Sequence, residues 1–240
     1  MEPTAKPTPL YRSETSKHRT EILPFCQGYG IDIGFGGDPI NASAIRMDLP
    51  SPYAYTGDNP VQLGGDCRHL KWIADNSLDY AYSSHVLEDF DRTETEAVLR
   101  EWIRVVRPGG LVVLLLPDQV RYVEDCRKRG EVSADGIVGN PHHSIADFSM
   151  RYVLEVAARI GGVEKHHAID QLGAYSFLLV LKKSAPTVAV ANLDAALEKA
   201  WADRDALKLQ LREKERELAR AGFASALLNL GRRIKRRLGR

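Results

Sequence analysis

The sequence is poor in cysteine. Its 240 residues contain three, Cys26, Cys67 and Cys126, and these are widely separated along the chain. Disulfide frameworks use even numbers of cysteines and zinc knuckles use closely spaced pairs, so the pattern indicates neither. We therefore expect three reduced, partly buried thiols.

Long hydrophobic runs are also absent. No stretch reaches the ~18 apolar residues that a membrane span requires. Residues 1–19 are polar and rich in proline, without the apolar core of a signal peptide. A protein made and kept in the cytoplasm is expected. With 44% hydrophobic residues, the chain can still bury one large core.

A glycine-rich turn follows a short apolar strand. The segment GYGIDIGFGGDP places Asp32 in the strand and Gly34 and Gly36 in the turn. Glycine lets the backbone turn tightly and lets a ligand approach without a Cβ, although glycines also occur at ordinary strand ends. The next two strand candidates each end on an acid, Asp48 and Asp66. Three acids then line one edge of a sheet, as a nucleotide-type cofactor needs.

Hydrophobic patterning predicts an α/β domain. Strands are predicted near 29–33, 44–48, 61–63, 78–84, 111–116, 163–169 and 175–182, and helices near 68–74, 93–106, 120–129 and 149–160. This alternation indicates a Rossmann-like, mostly parallel sheet of seven strands with helices on both faces. The connection 171–174 is too short for a parallel crossover, so the last strand is predicted to be antiparallel to the strand before it.

Together these segments resemble the class I S-adenosylmethionine-dependent methyltransferases, type 11-like, over about Gly28 to Lys183. The most specific part is Val98–Asp118, an amphipathic helix followed by a Pro-Gly-Gly turn and a buried strand. The resemblance implies a glycine loop holding the methionine part of the cofactor, an acid on the ribose hydroxyls, a reader of the adenine edge, and an antiparallel last strand at the sheet edge. The acid is Asp48, and the adenine is read by Asp66 and Cys67. The cofactor-binding residues so implied are Asp32, Gly34, Gly36, Asp48, Asp66, Cys67 and Ser84.

The connection after the glycine turn is short. Only residues 38–45 separate the last loop glycine from the next strand, so the full helix that follows in the family can hardly form. A dinucleotide pyrophosphate favours a long helix N-terminus at this point, whereas a zwitterionic sulfonium needs less anion binding. The sequence therefore favours S-adenosylmethionine over NAD.

Candidate catalytic groups follow the fourth strand and occur in a later loop. Methyl transfer mainly requires alignment of donor and acceptor. A hydroxyl acceptor must also lose a proton, which histidine accepts near neutral pH. His85 is the first candidate for this base and His143 the second. Each could instead only shape its pocket or loop.

The turn that contains His85 also has a spacing that suits a divalent metal. His85, Glu88 and Asp89 stand at i, i+3 and i+4 and would share one face if the turn opens a helix. A similar turn in the coenzyme Q O-methyltransferases is implicated in metal binding. The residue types are permuted here, so a solvated helix start is the preferred interpretation and no metal is expected.

The composition changes after Lys183. We expect a flexible segment at 1–20, a methyltransferase domain at 21–183, a linker at 184–192, a coiled-coil helix at 193–220 and a basic amphipathic tail at 221–240. The helix carries the 4-3 spacing of a seam, which indicates a homodimer, a partner helix or a helix folded back on the domain. The tail has six basic residues and no acid. It favours an anionic membrane surface over nucleic acid or a merely solvated terminus.

These features predict a methyltransferase held at the cytosolic face of a membrane. The architecture is similar to that of the methyltransferases of bacterial surface-polysaccharide assembly, which implies a sugar hydroxyl of a lipid-linked glycan as acceptor. A polar loop suits a sugar; it contains Asn140, His142, His143, Ser144 and Asp147. The alternatives are a quinone, lipid or other small-molecule O-methyltransferase, and a catalytically silent scaffold whose coiled coil recruits a glycosyltransferase.

Overall fold

A computed structural model describes residues 13–50, 59–131, 145–185, 199–214, 216, 217 and 222. The chain divides into two compact units, residues 1–185 and residues 186–240. The first unit contains the sheet and the candidate site. His143 and most of the polar loop around it lie outside the described residues, as do most of the linker and the tail.

A seven-stranded sheet forms the centre of the first unit, as predicted. Its strands are β1 (Gly30–Ile33), β2 (Ile45–Asp48), β3 (Leu63–Gly64), β4 (Leu78–Ser84), β5 (Val106–Pro117), β6 (Val163–Leu172) and β7 (Ser176–Lys183). The order across the sheet is β3-β2-β1-β4-β5-β7-β6. Strands β1 to β5 are paired in parallel, and β7 is antiparallel to both of its neighbours. The mostly parallel sheet and its antiparallel last strand are confirmed.

The place of the last strand differs from the expectation. β7 lies between β5 and β6, and β6 takes the edge. The side chains explain this order, because β7 is buried along nearly its whole length while β6 is mostly exposed. An apolar strand is stable in the interior of a sheet, whereas a polar strand can tolerate the edge.

Helices lie on both faces of the sheet. Within the described part of the first unit they are α1 (Glu14–Ile22), α2 (Thr95–Val105), α3 (Gln119–Lys128) and α4 (Met150–Ile160), with short 3-10 turns at Leu23–Phe25 and Leu87–Asp89. The predicted helices 93–106, 120–129 and 149–160 are thus confirmed to within about two residues at each end, the usual uncertainty of a helix boundary.

The helix predicted at 68–74 is wrong, because this segment forms only turns. Side chains of α2 take over its backbone hydrogen bonds. The Leu70 N–H donates to Glu101 Oε1 at 2.7 Å, and Arg104 donates to the carbonyls of Leu70 and Ile73 at 2.9 and 3.0 Å. A backbone satisfied from a neighbouring helix gains little by forming a helix of its own.

Residues 14–20 were expected in a flexible segment, and the structure places them in α1. Ser13 caps this helix, because its hydroxyl accepts the Ser16 N–H at 2.9 Å. Only Thr15 and Ile22 are buried along it. A helix with two buried residues leaves no apolar stripe in the sequence, and the periodicity therefore missed it.

One face of the sheet, here the helix face, is covered by α2 and α4. Alternation along β5 sends Val112 and Leu114 to this face. The apolar side of α2 packs there as the sequence predicts, with Leu99, Trp102 and Ile103 all buried. Val106, predicted on the same helical face, is also buried but is the first residue of β5.

The opposite face, here the loop face, receives Val113 and Leu115 of β5. Irregular chain covers much of it. Ile22 and Cys26, from the end of α1 and the residue after the 3-10 turn, pack there with Ile40 and Ala44. These last two belong to the connection after β1, which contains turns and no helix, as predicted.

In the second unit, residues 199–214, 216 and 217 are helical. Trp201, Leu207 and Leu211 are each more than half exposed on this helix. Its pairing as a coiled coil stays a prediction. Among the described residues, no helix combines the length and the apolar character that crossing a bilayer demands.

Candidate active site

A cleft of about 570 Å³ opens at the carboxyl ends of β1, β2 and β4. Open α/β sheets bind ligands at this edge, and the volume suits a small-molecule cofactor. Residues 13–15, 34–36, 47–49, 65–68, 84–86, 89, 90, 94 and 175 line it. The structure thus brings together the predicted site residues Gly34, Gly36, Asp48, Asp66, Cys67, Ser84 and His85. Asp32 does not line the cleft, and His143 lies outside the described residues.

The glycine turn crosses one wall of the cleft. Gly34 and Gly36 have φ angles of 68° and 57°, a region that favours glycine. A Cβ on Gly34 would lie 2.3 Å from Val86 Cγ2, so a side chain there has no room. The Gly34 N–H donates to the Met47 carbonyl at 2.8 Å, which ties the turn to the end of β2.

Asp48 stands at the end of β2, where the ribose acid was predicted. Its Oδ2 accepts the Gly36 N–H at 3.1 Å, and its Oδ1 accepts the Leu49 N–H at 2.8 Å. These bonds orient the carboxylate on the wall of the cleft. Because a carboxylate has about four lone-pair sites, it can still accept two hydroxyl groups.

Asp66 lies in the cleft but is already engaged by Arg68. The Nε and Nη2 groups of Arg68 donate to Asp66 Oδ2 at 2.9 and 2.7 Å, and the Arg68 backbone N–H donates to Oδ1 at 2.9 Å. The hydrogen bonds from Arg68 lower the pKa of Asp66. Arg68 also donates to Glu94 at 2.9 Å. An adenine amino group would share the Asp66 carboxylate with this arginine.

The sequence reasoning missed Arg68 and Glu94 as lining residues. The opposite charges of Asp66 and Arg68, two residues apart, were the available signal. Cys67, between them, is predominantly a neutral thiol, because burial raises its pKa to about 12. Its carbonyl accepts the Trp102 indole N–H at 3.0 Å, which ties this part of the cleft to the core.

Asp32 points toward the loop face, away from the flanking Ile31 and Ile33. Its side chain is buried, and its Oδ2 accepts the Ile40 N–H at 2.6 Å. Burial raises the pKa of this carboxyl to about 8. The structure therefore places Asp32 beneath the connection after β1, where it holds the backbone at Ile40.

His85 follows β4 and lines the cleft. Its φ of 54° is unusual for a residue with a side chain, and its N–H donates to the Leu115 carbonyl at 2.9 Å. The ring Nδ1 lies 3.5 Å from Glu88 Oε1, and Nε2 lies 3.1 Å from Ser176 Oγ. Burial raises the pKa of Glu88 well above its ordinary value. The imidazole is thus held between two buried polar side chains, of which the sequence connected only Glu88 with His85.

His85, Glu88 and Asp89, whose spacing suits a metal, do not share one face of a helix. Residues 87–89 form a 3-10 turn and not the start of a helix, so Glu88 is buried behind the histidine while Asp89 lines the cleft. Within the described ranges, no group of three or more His, Cys, Asp or Glu side chains could hold an ion.

The N-terminal end of α1 forms another wall, which the sequence did not predict. Ser13, Glu14 and Thr15 line the cleft. The Tyr175 hydroxyl donates to Glu14 Oε1 at 3.4 Å, and the Thr15 and Tyr82 hydroxyls are 3.0 Å apart. The Tyr175 ring also meets the His85 ring edge-on, with centroids 6.0 Å apart. Helix α1, β7 and the end of β4 therefore meet around His85.

Charge in the cleft is mostly negative. Arg68 is the one lysine or arginine among the described lining residues. The acids are Glu14, Asp48, Asp66, Asp89 and Glu94. Such a cleft attracts cations and disfavours phosphate-rich ligands. A nucleoside that carries a positive sulfonium fits this environment better than a pyrophosphate does.

A Rossmann-like sheet with a glycine turn and acids at its strand ends is an arrangement that binds nucleotide-type cofactors. Residues 39–114 match the family model of a methyltransferase domain. This match, over about a third of the chain, supports an S-adenosylmethionine-dependent methyltransferase with S-adenosylmethionine as its cofactor. A sequence search of curated proteins finds no match.

Solved structures share the fold at low identity. A protein from Pyrococcus horikoshii is 18% identical with a TM-score of 0.57, over 74% of this chain and 93% of that chain. A possible histamine N-methyltransferase from Thermotoga maritima is 16% identical with a TM-score of 0.54, over 71% and 89%. A methyltransferase from Archaeoglobus fulgidus is 15% identical with a TM-score of 0.53, over 70% and 92%. At these identities the likeness concerns the fold.

Proposed function

We propose that the protein transfers the methyl group of S-adenosylmethionine to a sugar hydroxyl of a lipid-linked surface glycan at the cytosolic face of the membrane. The observation that carries the acceptor class is the surface around His85. Ser84 and His85 both line the cleft, and the Tyr175–Glu14 pair lies beside the imidazole. Convergent polar groups of this kind suit a neutral acceptor with many hydroxyls.

The cofactor, when bound, supplies an electrophilic methyl group, and the chain must align the acceptor and remove its proton. Asp48 and the glycine turn would hold the nucleoside end. His85 would accept the hydroxyl proton at Nε2, and the Glu88 carboxyl, 3.5 Å from Nδ1, would help to orient the ring. Because Nε2 now contacts Ser176 Oγ, the acceptor hydroxyl would replace Ser176 as its partner.

The main rival acceptor is a quinone or lipid. Such an acceptor needs an apolar pocket beside the base, whereas two polar side chains, Glu88 and Ser176, lie against the two nitrogens of the His85 ring. A silent scaffold is disfavoured because Asp48 and the glycine turn keep the geometry of a cofactor site. The membrane location rests on the predicted tail 221–240, which lies almost wholly outside the described residues.

The acceptor can be tested with the full chain. Cofactor binding is first measured by titration calorimetry, and labelled methyl transfer is then screened with lipid-linked glycans, free neutral oligosaccharides and quinone analogues. We expect turnover with a glycan hydroxyl. Turnover confined to quinones would contradict the sugar assignment, and cofactor binding without transfer to any acceptor would favour the scaffold.

The role of His85 has its own test. With the acceptor found in the screen, His85→Gln should lower kcat roughly a hundredfold or more, the usual contribution of a general base. Affinity for the cofactor should stay within about threefold, because the base acts on the acceptor. Ser176→Ala is the matched control, and it should retain activity since Ser176 only occupies Nε2 at rest. Unchanged kcat in His85→Gln would remove the histidine from the mechanism.

A further inference from the structure

The connection after β1 is supported by side chains of α1. Residues 38–44 form no helix, so few of their backbone groups can bond within the connection itself. Arg19, on α1, donates to the carbonyls of Pro39 and Ile40, the latter at 2.8 Å. Backbone groups in a partly buried loop need such partners, and this arginine supplies them.

Asp38, which directly follows the glycine turn, is bound by the same arginine and by two serines of the α1 region. Its Oδ1 accepts a hydrogen bond from Arg19 Nη2, and its Oδ2 accepts hydrogen bonds from the hydroxyls of Ser13 and Ser16. Burial alone would raise the pKa of Asp38, but these hydrogen bonds and the guanidinium charge lower it overall. The carboxylate is thus ionised at the first turn of α1, where a negative charge is favourable.

Apolar contacts complete the support. Ile22, at the end of α1, and Cys26 are buried with Ile40 and Ala44 on the loop face. From the inner side, Asp32 accepts the Ile40 N–H. The connection is therefore held from two sides, by α1 outside and by β1 inside.

Two parts of the cleft depend on this support. Gly36 lies two residues before Asp38, and its N–H orients the Asp48 carboxylate at 3.1 Å. Ser13 bonds to Asp38 and lines the cleft together with Glu14 and Thr15. A change at Asp38 or Arg19 would reach both walls without touching a ligand.

We propose that Arg19 is a positioning residue for the cofactor. It holds Asp38 and the carbonyls after it, and α1 thereby supports the connection after β1, which has no helix of its own. The geometry behind this is the three-way contact of one guanidinium with Asp38, Pro39 and Ile40. A planar guanidinium with several fixed donors can make these contacts together, and a lysine cannot. The inference rests on the cofactor assignment and on Asp48 as the ribose acid, and it is independent of the acceptor.

The experiment measures two ligands with the full chain. Calorimetry gives the affinities of S-adenosylmethionine and of 5′-methylthioadenosine, which lacks the aminocarboxypropyl group. Arg19→Met should weaken S-adenosylmethionine binding roughly tenfold or more, the scale set by an unsatisfied partly buried group. Binding of 5′-methylthioadenosine should weaken less, because this ligand would depend on the Gly36–Asp48 bond alone, whereas S-adenosylmethionine would also place its aminocarboxypropyl group against the glycine turn. Arg19→Lys should give an intermediate loss.

Arg100→Met is the control variant. Arg100 pairs with Glu96 on the exposed side of α2, away from the cleft, and both affinities should match those of the wild type. Hydrogen exchange of residues 36–40 should accelerate in Arg19→Met and stay unchanged in Arg100→Met. All measurements are made well below the midpoint of thermal unfolding of each variant, so that the variants compared are folded.

Several outcomes would overturn the proposal. Wild-type affinity for S-adenosylmethionine in folded Arg19→Met would show that the contact is dispensable. Equal losses for both ligands would limit the effect of Arg19 to the nucleoside end and would contradict its role at the glycine turn. Should the wild type bind neither ligand, the cofactor assignment itself would fail with the proposal. Methyl transfer to an unexpected acceptor, by contrast, would leave the role of Arg19 intact.

Discussion

The two faces of the sheet are stabilised in different ways. On the helix face, α2 and α4 bury continuous apolar stripes against β4, β5 and β7. On the loop face, the irregular connection after β1 is held by directed polar contacts, notably Arg19 to Asp38 and Asp32 to Ile40, beside a smaller apolar cluster. Apolar packing is non-directional and tolerant, whereas hydrogen bonds to a loop backbone have defined directions. The wall of the cleft formed by the glycine turn therefore depends on hydrogen bonds of defined direction.

The helix face should show the largest effect on stability. Trp102 is fully buried there, and its indole N–H donates to the Cys67 carbonyl at 3.0 Å. Trp102→Ala should lower the free energy of unfolding by about 3–5 kcal/mol. The matched control is Trp72→Ala, since Trp72 is 49% exposed and should contribute far less. Equal losses in urea unfolding would contradict the division between core and surface.

The cleft should show the largest effect on binding. Asp48→Ala removes the acceptor of two hydroxyl hydrogen bonds and should weaken S-adenosylmethionine binding roughly a hundredfold or more. A 2′-deoxy form of 5′-methylthioadenosine sharpens the test. The wild type should bind it more weakly than the parent nucleoside, and Asp48→Ala should bind the two about equally. If the variant keeps the full preference for the hydroxyl, Asp48 is not the ribose acid.

The buried acid of the loop face should show its effect as a pH dependence of stability. The pKa of Asp32 is raised from 3.8 to about 8, so the unfolded chain releases this proton first as the pH rises. The free energy of unfolding should therefore fall between about pH 4 and pH 8. The Asp32→Asn side chain cannot lose a proton, so this variant should lack the fall. Between pH 4 and pH 8 the wild type should therefore lose at least about 1.4 kcal/mol more unfolding free energy than the variant, the equivalent of one pKa unit.

Urea unfolding of the two proteins from pH 4 to pH 9 measures this difference. Glu88 also has a raised pKa, but it is present in both proteins and its contribution cancels in the comparison. Parallel stability curves across the whole window would mean that Asp32 ionises in the folded protein as it does in the unfolded chain.

Much of the cleft could be predicted because strand ends are local features. An apolar run that stops on Asp48 or at Gly34 can be recognised in the sequence, and parallel pairing brings these ends to one edge. The contacts of His85 could not be predicted in this way. Ser176 is 91 residues away in the sequence, on a strand whose place between β5 and β6 depends on burial along its whole length.

The amino-acid order was sufficient for the strands of the sheet, the helices of its helix face and the cofactor class, because periodicity and glycine spacing act within a few residues. Tertiary contacts were required for the rest. The turns at 68–74 exist because α2 satisfies their backbone, and α1 becomes part of the cleft because Asp38 needs its donors. A polar group that is buried on folding pairs with residues that can be distant in the sequence, and a local sequence pattern does not identify them.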